Sequence, residues 1–443
     1  MIPGLSTFKR LAGRVLPARL RPMPSGPAQD LFEEGTAKLE DGDYREAEIL
    51  FRRCIGMDGK HAAAMNDLAL TLNHLQRPDE ALQYYHRAVA TDSRMVGAQH
   101  NAALLLQDMG RLDEAEEAFR RAIKMNGKHA AAICDLAMLL WRRDRHDEAV
   151  DAFQQCVEAD PTYARAWDRL AEIWYGRGAF DRSNTACARG IQARFSQIRH
   201  FPAEDFATGA GPDPALARAT LLDARGVFQG LGVTFFLAAD LARRAVAAAD
   251  GGAGDGADPG PALDLGVGPE ADPADLARAF AEAGFTADGD GAPADGGALL
   301  LHHGNGTAVA VFPHLPDGAD GCRRSLGDGP RRIDWHHAAF ALREVDYLDT
   351  RFNVPDPAAA YLAECFGPDW QTPDPDFDPV VMAPSIVGGY PPAAEAAGFR
   401  HLHDRLTRRQ FHAARRLFDF MREKAPQDPD LGSLLSLFGE AGE

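Results

Sequence analysis

From Ala28 to about residue 197, small and apolar residues recur with one period. The string GKHAAA occurs at Gly59 and again at Gly127, 68 positions apart, which is twice 34. In a 34-residue frame opened at Ala28, position 8 is Gly35, Ala69, Ala103, Ala137 and Ala171. Position 20 is Ala47, Ala81, Ala115, Ala149 and Ser183. Position 24 is Phe51, Tyr85, Phe119, Phe153 and Cys187, and position 27 is Cys54, Ala88, Ala122, Cys156 and Gly190. This spacing predicts two antiparallel helices per frame. The small residues let the helix backbones approach, and the aromatic fills the gap that the next unit closes. Gly42, Pro78, Gly110 and Asp144 mark the turns between helices; Gly59, Ser93, Gly127 and Pro161 mark those between units. No single unit buries its apolar face, so neighbours share the core. The fifth unit weakens at Ser183, Cys187 and Gly190, as a terminal unit would.

The period fails near residue 200. HFPAEDFATGAGPDP reads as a linker by its Pro, Gly and Asp content, and the segment 198–216 is assigned to it. Beyond it, helical segments surround the short apolar run VTFFLA. PALDLGV (261–267) reads as a strand bearing one acid, Asp264, after the low-complexity loop 249–260. Asp272 and Pro273 open a helix as N-cap and first residue. ALLLHH and TAVAVF read as further strands. Strands interleaved with helices predict an α/β or α+β domain over 217–390. The tail, 396–443, returns to a helical pattern. Ala413 or Ala414, Phe418 and Pro426 suit the second helix of one more repeat-like pair, expected to dock on or cap the α/β domain.

The first half resembles the tetratricopeptide repeat family over five units, 28–197. The expected fold class is therefore an α-solenoid of helical hairpins, then an α/β domain, then a helical hairpin. The resemblance implies a protein-interaction scaffold whose groove is lined by the first helix of each unit. Asn66, Asp67, His100, Asn101, Asp135 and Asp168 fall on that face. A polar, acid-leaning groove of this kind suits an extended peptide or a basic protein segment.

The second half carries a different set of signals. After Phe340 come an apolar strand, a Val354–Pro355 turn, a helix with Tyr361–Leu362, and Phe366-Gly367, Asp369-Trp370 and Pro373. This order resembles the C-terminal signature of LicD/fukutin-like domains of the nucleotidyltransferase fold, and APSIVG (383–388) resembles the segment next in their chains. PALDLGV resembles their acidic D-x-D strand. The resemblance covers about 220 to 390. It implies magnesium-dependent transfer of a phospho-group from a nucleotide-activated donor to a glycan, as part of cell-envelope glycan modification. Asp264 is then the candidate metal ligand. Residues i and i+2 of a strand share a face, so two acids would aim at one hard cation.

Three elements depart from that pattern. Ala262 stands where the first acid belongs, and Ala310 where the next strand carries another. Arg243 and Arg244 lie where the family has a glycine-containing turn. Together they point to a pseudoenzyme domain in an adaptor protein. The competing readings are an active transferase, with Asp255 or Asp258 of the loop as the replacement acid, and a purely structural scaffold.

Charge and composition narrow the picture further. The net charge of −18 excludes the basic footprint of a nucleic-acid binder. The six cysteines show no zinc spacing and suit buried thiols in a bacterial cytoplasm. Residues 1–27 form a basic arm holding Lys9, Arg10, Arg14, Arg19 and Arg21. It is expected to be flexible, with weak contact to an anionic membrane surface through FKRLAGRVL as the second reading, peripheral to the inner membrane. No apolar run is long enough to span a bilayer. His302–His303 and His336–His337 are adjacent strand residues, which point to opposite faces, so neither pair chelates by itself. Neither P-loop nor GxSxG is present.

Overall fold

The computed structural model describes residues 26–195, 214–249, 262–288, 297–318, 321–372, 374, 376–388 and 390–438. The basic arm, most of the 198–216 linker, the loop bearing Asp255 and Asp258, and Pro373 lie outside the described residues. The chain forms two compact units, Met1–Ala159 and Asp160–Glu443.

The described residues of the first unit form four helical hairpins: α1 (Pro27–Glu40) with α2 (Tyr44–Met57), α3 (Ala62–His74) with α4 (Pro78–Thr91), α5 (Val96–Asp108) with α6 (Leu112–Met125), and α7 (Ala130–Arg142) with α8 (His146–Ala159). The periodic residues form its core. Ala47, Ala81, Ala115 and Ala149 are fully buried, and so in effect are Phe51, Tyr85, Phe119 and Phe153. Each such ring contributes roughly 1.5–3 kcal/mol by burial. The repeated string GKHAAA is a turn plus a cap. The His61 Nδ1 accepts from the Ala64 N–H at 3.1 Å, and the His129 Nδ1 accepts from the Ala132 N–H at 3.2 Å. Each imidazole thereby satisfies one of the open N–H groups at a helix start. The hairpin turns each hold one left-handed residue: Gly42, Gln76, Gly110 and Asp144, with φ of 80°, 60°, 76° and 58°. The spacing places the second of these turns at Pro78. The turn residue is Gln76 instead, and Pro78 opens α4, where its missing N–H has no partner to lose.

The second unit begins with a fifth hairpin, α9 (Ala164–Gly176) and α10 (Phe180–Arg194), turned at Gly178. Next come α11 (Pro214–Leu231), β1 (Phe235–Leu237), α12 (Ala239–Ala249), β2 (Ala262–Val267), α13 (Pro273–Glu282), β3 (Phe285–Ala287), β4 (Leu299–His303) and β5 (Ala308–Pro313). These strands make a mixed sheet of order β1-β2-β5-β4-β3, in which β2 and β5 are parallel. Leu263, Leu265, Val309 and Val311 lie on one face, buried in the same core as Phe228 of α11 and Phe280 of α13. Phe228 stacks on Phe235 at 4.6 Å and meets Phe280 edge-on at 5.3 Å. Asp272 caps α13 as its sequence suggests, its Oδ1 accepting from the Ala274 N–H at 2.7 Å.

A small antiparallel sheet, β6 (Leu315–Pro316), β7 (Gly321–Leu326) and β8 (Ile333–Ala338), is followed by the hairpin β9 (Ala341–Tyr347) and β10 (Thr350–Asp356) and by α14 (Ala358–Phe366). Val354 and Pro355, expected to form a turn, lie inside β10, where Pro355 pairs with Leu342. The turn falls earlier, at Leu348 and Asp349, both left-handed as a two-residue hairpin loop requires. Gly367 ends α14 at φ 91°, which explains the glycine of the Phe366-Gly367 pair.

The tail forms α15 (Pro392–Thr407), α16 (Phe411–Lys424) and α17 (Pro429–Phe438). It docks on the α/β segment, His401 and Arg405 of α15 meeting the Asp378 carboxylate at 2.8 and 3.1 Å, and it also packs on the fifth hairpin. Both α15 and α17 pack on α10. The Thr185 hydroxyl donates to Asp430 at 2.8 Å, the Gln192 amide donates to the Ser433 carbonyl at 2.8 Å, and Arg400 lies 4.1 Å over Tyr175. Arg409 is left-handed at φ 62°, two residues before α16, as Gly178 is two residues before α10. Ala414 and Phe418 are buried at the places of the small and aromatic repeat positions. The α/β segment is thus an insertion between two hairpins that pack on each other. Nor are Ser183, Cys187 and Gly190 end-of-array positions. Ser183 is buried and donates to the Ala171 carbonyl at 3.0 Å. At Gly190 a β-carbon would come within 2.9 Å of the Asp168 carboxylate.

Candidate functional site

Two regions carry the residues singled out in the sequence. On the first helices of the first unit, Asn66, Asp67, His100, Asn101 and Asp135 form a ladder between neighbouring repeats. The Asn101 amide donates to the Asn66 Oδ1 at 3.2 Å, and the Asn66 amide donates to Asp67 at 2.9 Å. The His100 Nε2 meets the Asp135 carboxylate at 2.9 Å. Burial pushes the Asp67 carboxyl up, while the Asn66 amide and the charge of His61 hold it down. Asp168, in the second unit, takes an ion pair from Arg194, and the His403 Nε2 of α15 lies 3.2 Å from it. The acids expected to face a partner are thus engaged within the chain, and the face is less acidic than expected. Half-buried Leu70, Leu104, Met138 and Trp141 were missed. They fall three or four residues and one further turn along from the ladder positions, the spacing of one helix face. Their signal was positions 9 and 12 of the same 34-residue frame.

The second region surrounds Asp264 on β2. Its neighbours in sequence, Leu263 and Leu265, enter the core, so Asp264 faces the opposite side of the sheet, half-buried. In the parallel register Ala310 stands directly across from it, and Ala308 across from Ala262. Burial raises the Asp264 carboxyl to about 6; the charge of Arg324 opposes that shift and Asp240 adds to it. Asp240, at the start of α12, is held by Arg243 at 2.8 Å and by Arg244 at 2.7 Å. The two arginines in the place of the expected glycine turn therefore neutralise the nearest second acid.

These residues do not fit a magnesium ion. A hard dication needs several free oxygen ligands, and here one carboxylate stands alone while the other is spent on two guanidiniums. The buried Arg324 adds a positive charge on the same side. Among the described residues, no three His, Cys, Asp or Glu side chains gather in a ligating cluster. The histidines are dispersed over separate acids: His302 to Asp288 at 3.1 Å, His303 to Asp223 at 3.4 Å, His336 to Asp317 at 3.0 Å, His337 to Glu364 at 3.1 Å and His401 to Asp378 at 2.8 Å. Only the strand register reveals that Arg324 converges with His314 and His337; alternation along the chain does not.

A cavity of about 270 Å³ opens beside this region, at the carboxyl ends of β2 and β5. Phe236, Phe340 and Leu342 form apolar walls, and Glu270, His314 and Cys322 supply polar groups. Parallel strand ends of this kind are where open α/β sheets place ligands.

Residues 32–95, 100–164 and 134–194 match the tetratricopeptide repeat family model. The hairpins they cover are tetratricopeptide repeats. No curated protein matches the chain. Among solved structures, the crystal structure of MamA is 20% identical, with 37% of this chain and 95% of that one covered and a TM-score of 0.33. Pseudomonas aeruginosa pilF is 18% identical, with 45% and 82% covered and a TM-score of 0.35. TTC0263, described as a thermophilic tetratricopeptide repeat protein of Thermus thermophilus, is 20% identical, with 38% and 91% covered and a TM-score of 0.31. No described helix is long and apolar enough to cross a membrane.

Proposed function

We propose that this chain is a protein-interaction scaffold built on tetratricopeptide repeats, and that its inserted α/β domain is a LicD/fukutin-like fold without transferase chemistry. The observation that carries the first part is the repeat face. Leu70, Leu104, Met138 and Trp141 leave apolar surface beside a polar ladder whose own hydrogen bonds are met internally. Such a face suits an extended peptide with spaced apolar side chains. The internal acid pairs remove the preference for a basic segment that the sequence suggests. Leu104 and Met138 are half-exposed, so replacing both with Glu leaves the fold intact and abolishes capture of the partner by the full chain. Unchanged capture, with Arg121→Glu on the outer helix face as the control, defeats the groove assignment.

The second part is supported by Ala310 opposite Asp264 and by the two arginines on Asp240. The role of such a domain in an adaptor for envelope glycan modification follows from the resemblance alone. Incubating the full chain with nucleotide-activated donor and acceptor glycan tests it. Turnover that Asp264→Ala abolishes overturns this reading in favour of an active transferase.

A further inference from the structure

We propose that the face of β7 and β8 turned toward β5 binds a protonated oxyanion, a hydrogen phosphate or phosphomonoester, between Arg324, His314 and His337, with no divalent ion. This goes beyond the scaffold reading and does not depend on what the repeats hold.

The strand register assembles the group. Cys322 and Arg324 share one face of β7, Trp335 and His337 share one face of β8, and Arg324 pairs with Trp335 as Cys322 does with His337. All but Cys322 are nearly sealed from solvent: Arg324 is 4% exposed, Trp335 2% and His337 0%, and His314 at the end of β5 is 5% exposed. The His314 and His337 rings lie 6.1 Å apart.

The Arg324 guanidinium sits 4.9 Å from the rings of Phe312 and Trp335. Its Nε finds no acceptor among the described residues, and neither does the Trp335 Nε1. Asp264 lies within its field, yet the two form no ion pair. An unpaired buried guanidinium costs several kcal/mol, and stacking on two rings recovers only about 2 kcal/mol or a little more. The site therefore calls for an anion.

The histidines specify which kind. The His314 Nδ1 lies 3.0 Å from the Phe312 carbonyl oxygen, which can only accept, so Nδ1 donates. The His337 Nδ1 likewise donates to the Glu364 carboxylate at 3.1 Å. Burial keeps both rings neutral, pushing His314 down to about 3 and His337 down as well. Each Nε2 is thus a bare lone pair, and neither meets a donor among the described residues. A dication at those lone pairs would face Arg324. Sulfate would satisfy Arg324 but has no proton to offer either imidazole. Inorganic phosphate at neutral pH keeps an O–H, and a phosphomonoester keeps one in its monoanion, whose proton is lost at about pH 6, so either form accepts from Arg324 and donates to an Nε2. His314 and Cys322 of this group also line the cavity at the strand ends.

Calorimetric titration of the full chain tests this, with inorganic phosphate, glycerol phosphate and sulfate in excess EDTA. Phosphate or its monoester binds at least ten-fold more tightly than sulfate. If glycerol phosphate is the tighter of the two, the natural source is a phosphomonoester; if inorganic phosphate is, it is the free ion. Arg324→Gln weakens binding at least ten-fold. Should that variant fail to fold, two others decide. His337→Phe narrows the gap between phosphate and sulfate, and Asp264→Asn tightens phosphate several-fold by removing an opposing charge. Equal affinity for phosphate and sulfate, a requirement for magnesium, or no binding by either phosphate overturns the proposal, leaving Arg324 as a stacked core residue only.

Discussion

Replacing Gly178 with alanine tests how the fifth hairpin is held to the inserted domain. Gly178 turns the chain between α9 and α10 at φ 69°. A β-carbon there would lie 2.4 Å from the Pro330 Cγ, a ring that cannot swing aside. Gly110 occupies the same turn position with φ 76°, but its β-carbon would meet nothing within 4 Å. The two substitutions share the left-handed strain, about 1 kcal/mol after the loss of unfolded-chain freedom is counted. Only Gly178→Ala adds overpacking, about 1–3 kcal/mol more. The expected totals are about 1 kcal/mol for Gly110→Ala and about 2–4 kcal/mol for Gly178→Ala. Read by amide hydrogen exchange, that is less than ten-fold faster opening of α5–α6 in the first variant. In the second, α9–α10 open roughly 30- to 700-fold faster, at 1.4 kcal/mol per decade. Equal acceleration in the two variants refutes the contact between hairpin and insertion.

Two further outcomes rest on burial and charge. Phe119 is fully buried between α5 and α6, so Phe119→Ala costs about 3–5 kcal/mol in urea denaturation of the first unit, whereas the exposed Arg121→Ala changes it little. Glu395 of α15 is raised to about 7 by burial and by Asp428, Asp181 and Asp430 around it. The folded state therefore holds this proton more tightly than the unfolded chain does. Stability from this group is fully present below the ordinary glutamate range and is lost as pH rises through about 7. Glu395→Gln accordingly raises the thermal midpoint at pH 8 and leaves it unchanged at pH 4, as thermal scans at the two values will register.

Periodicity carried the first half of the fold because one physical requirement, close helix approach, repeats at one spacing. It set the small residues at positions 8 and 20 and the ring at 24. It misplaced the second turn because Gln76 lacks the glycine signal, and the left-handed state there is imposed by the helices it joins. The tail's contact with α10 was hidden, unlike its contact with the α/β segment, because α10 and α15 are separated by the whole insertion and no local pattern encodes a contact across it. Asp264 was legible as a lone acid on a strand, with Ala262 and Ala310 as its silent neighbours. The register that sets Ala310 opposite Asp264, and the convergence of Arg324 with two imidazole lone pairs, come from strand pairing that alternation alone does not specify. The residues expected to line a groove form a ladder between repeats, and their acids were read as free when each has an internal partner.

The proposed loss of transferase chemistry in the inserted domain rests on Asp264 having no second free acid beside it to hold a metal. Calorimetric titration of a CDP-linked donor into the full chain, with and without magnesium, beside Asp264→Ala, measures this most directly. No heat that depends on magnesium is expected, and wild type and Asp264→Ala give the same trace. Magnesium-dependent donor binding that vanishes in Asp264→Ala would contradict it.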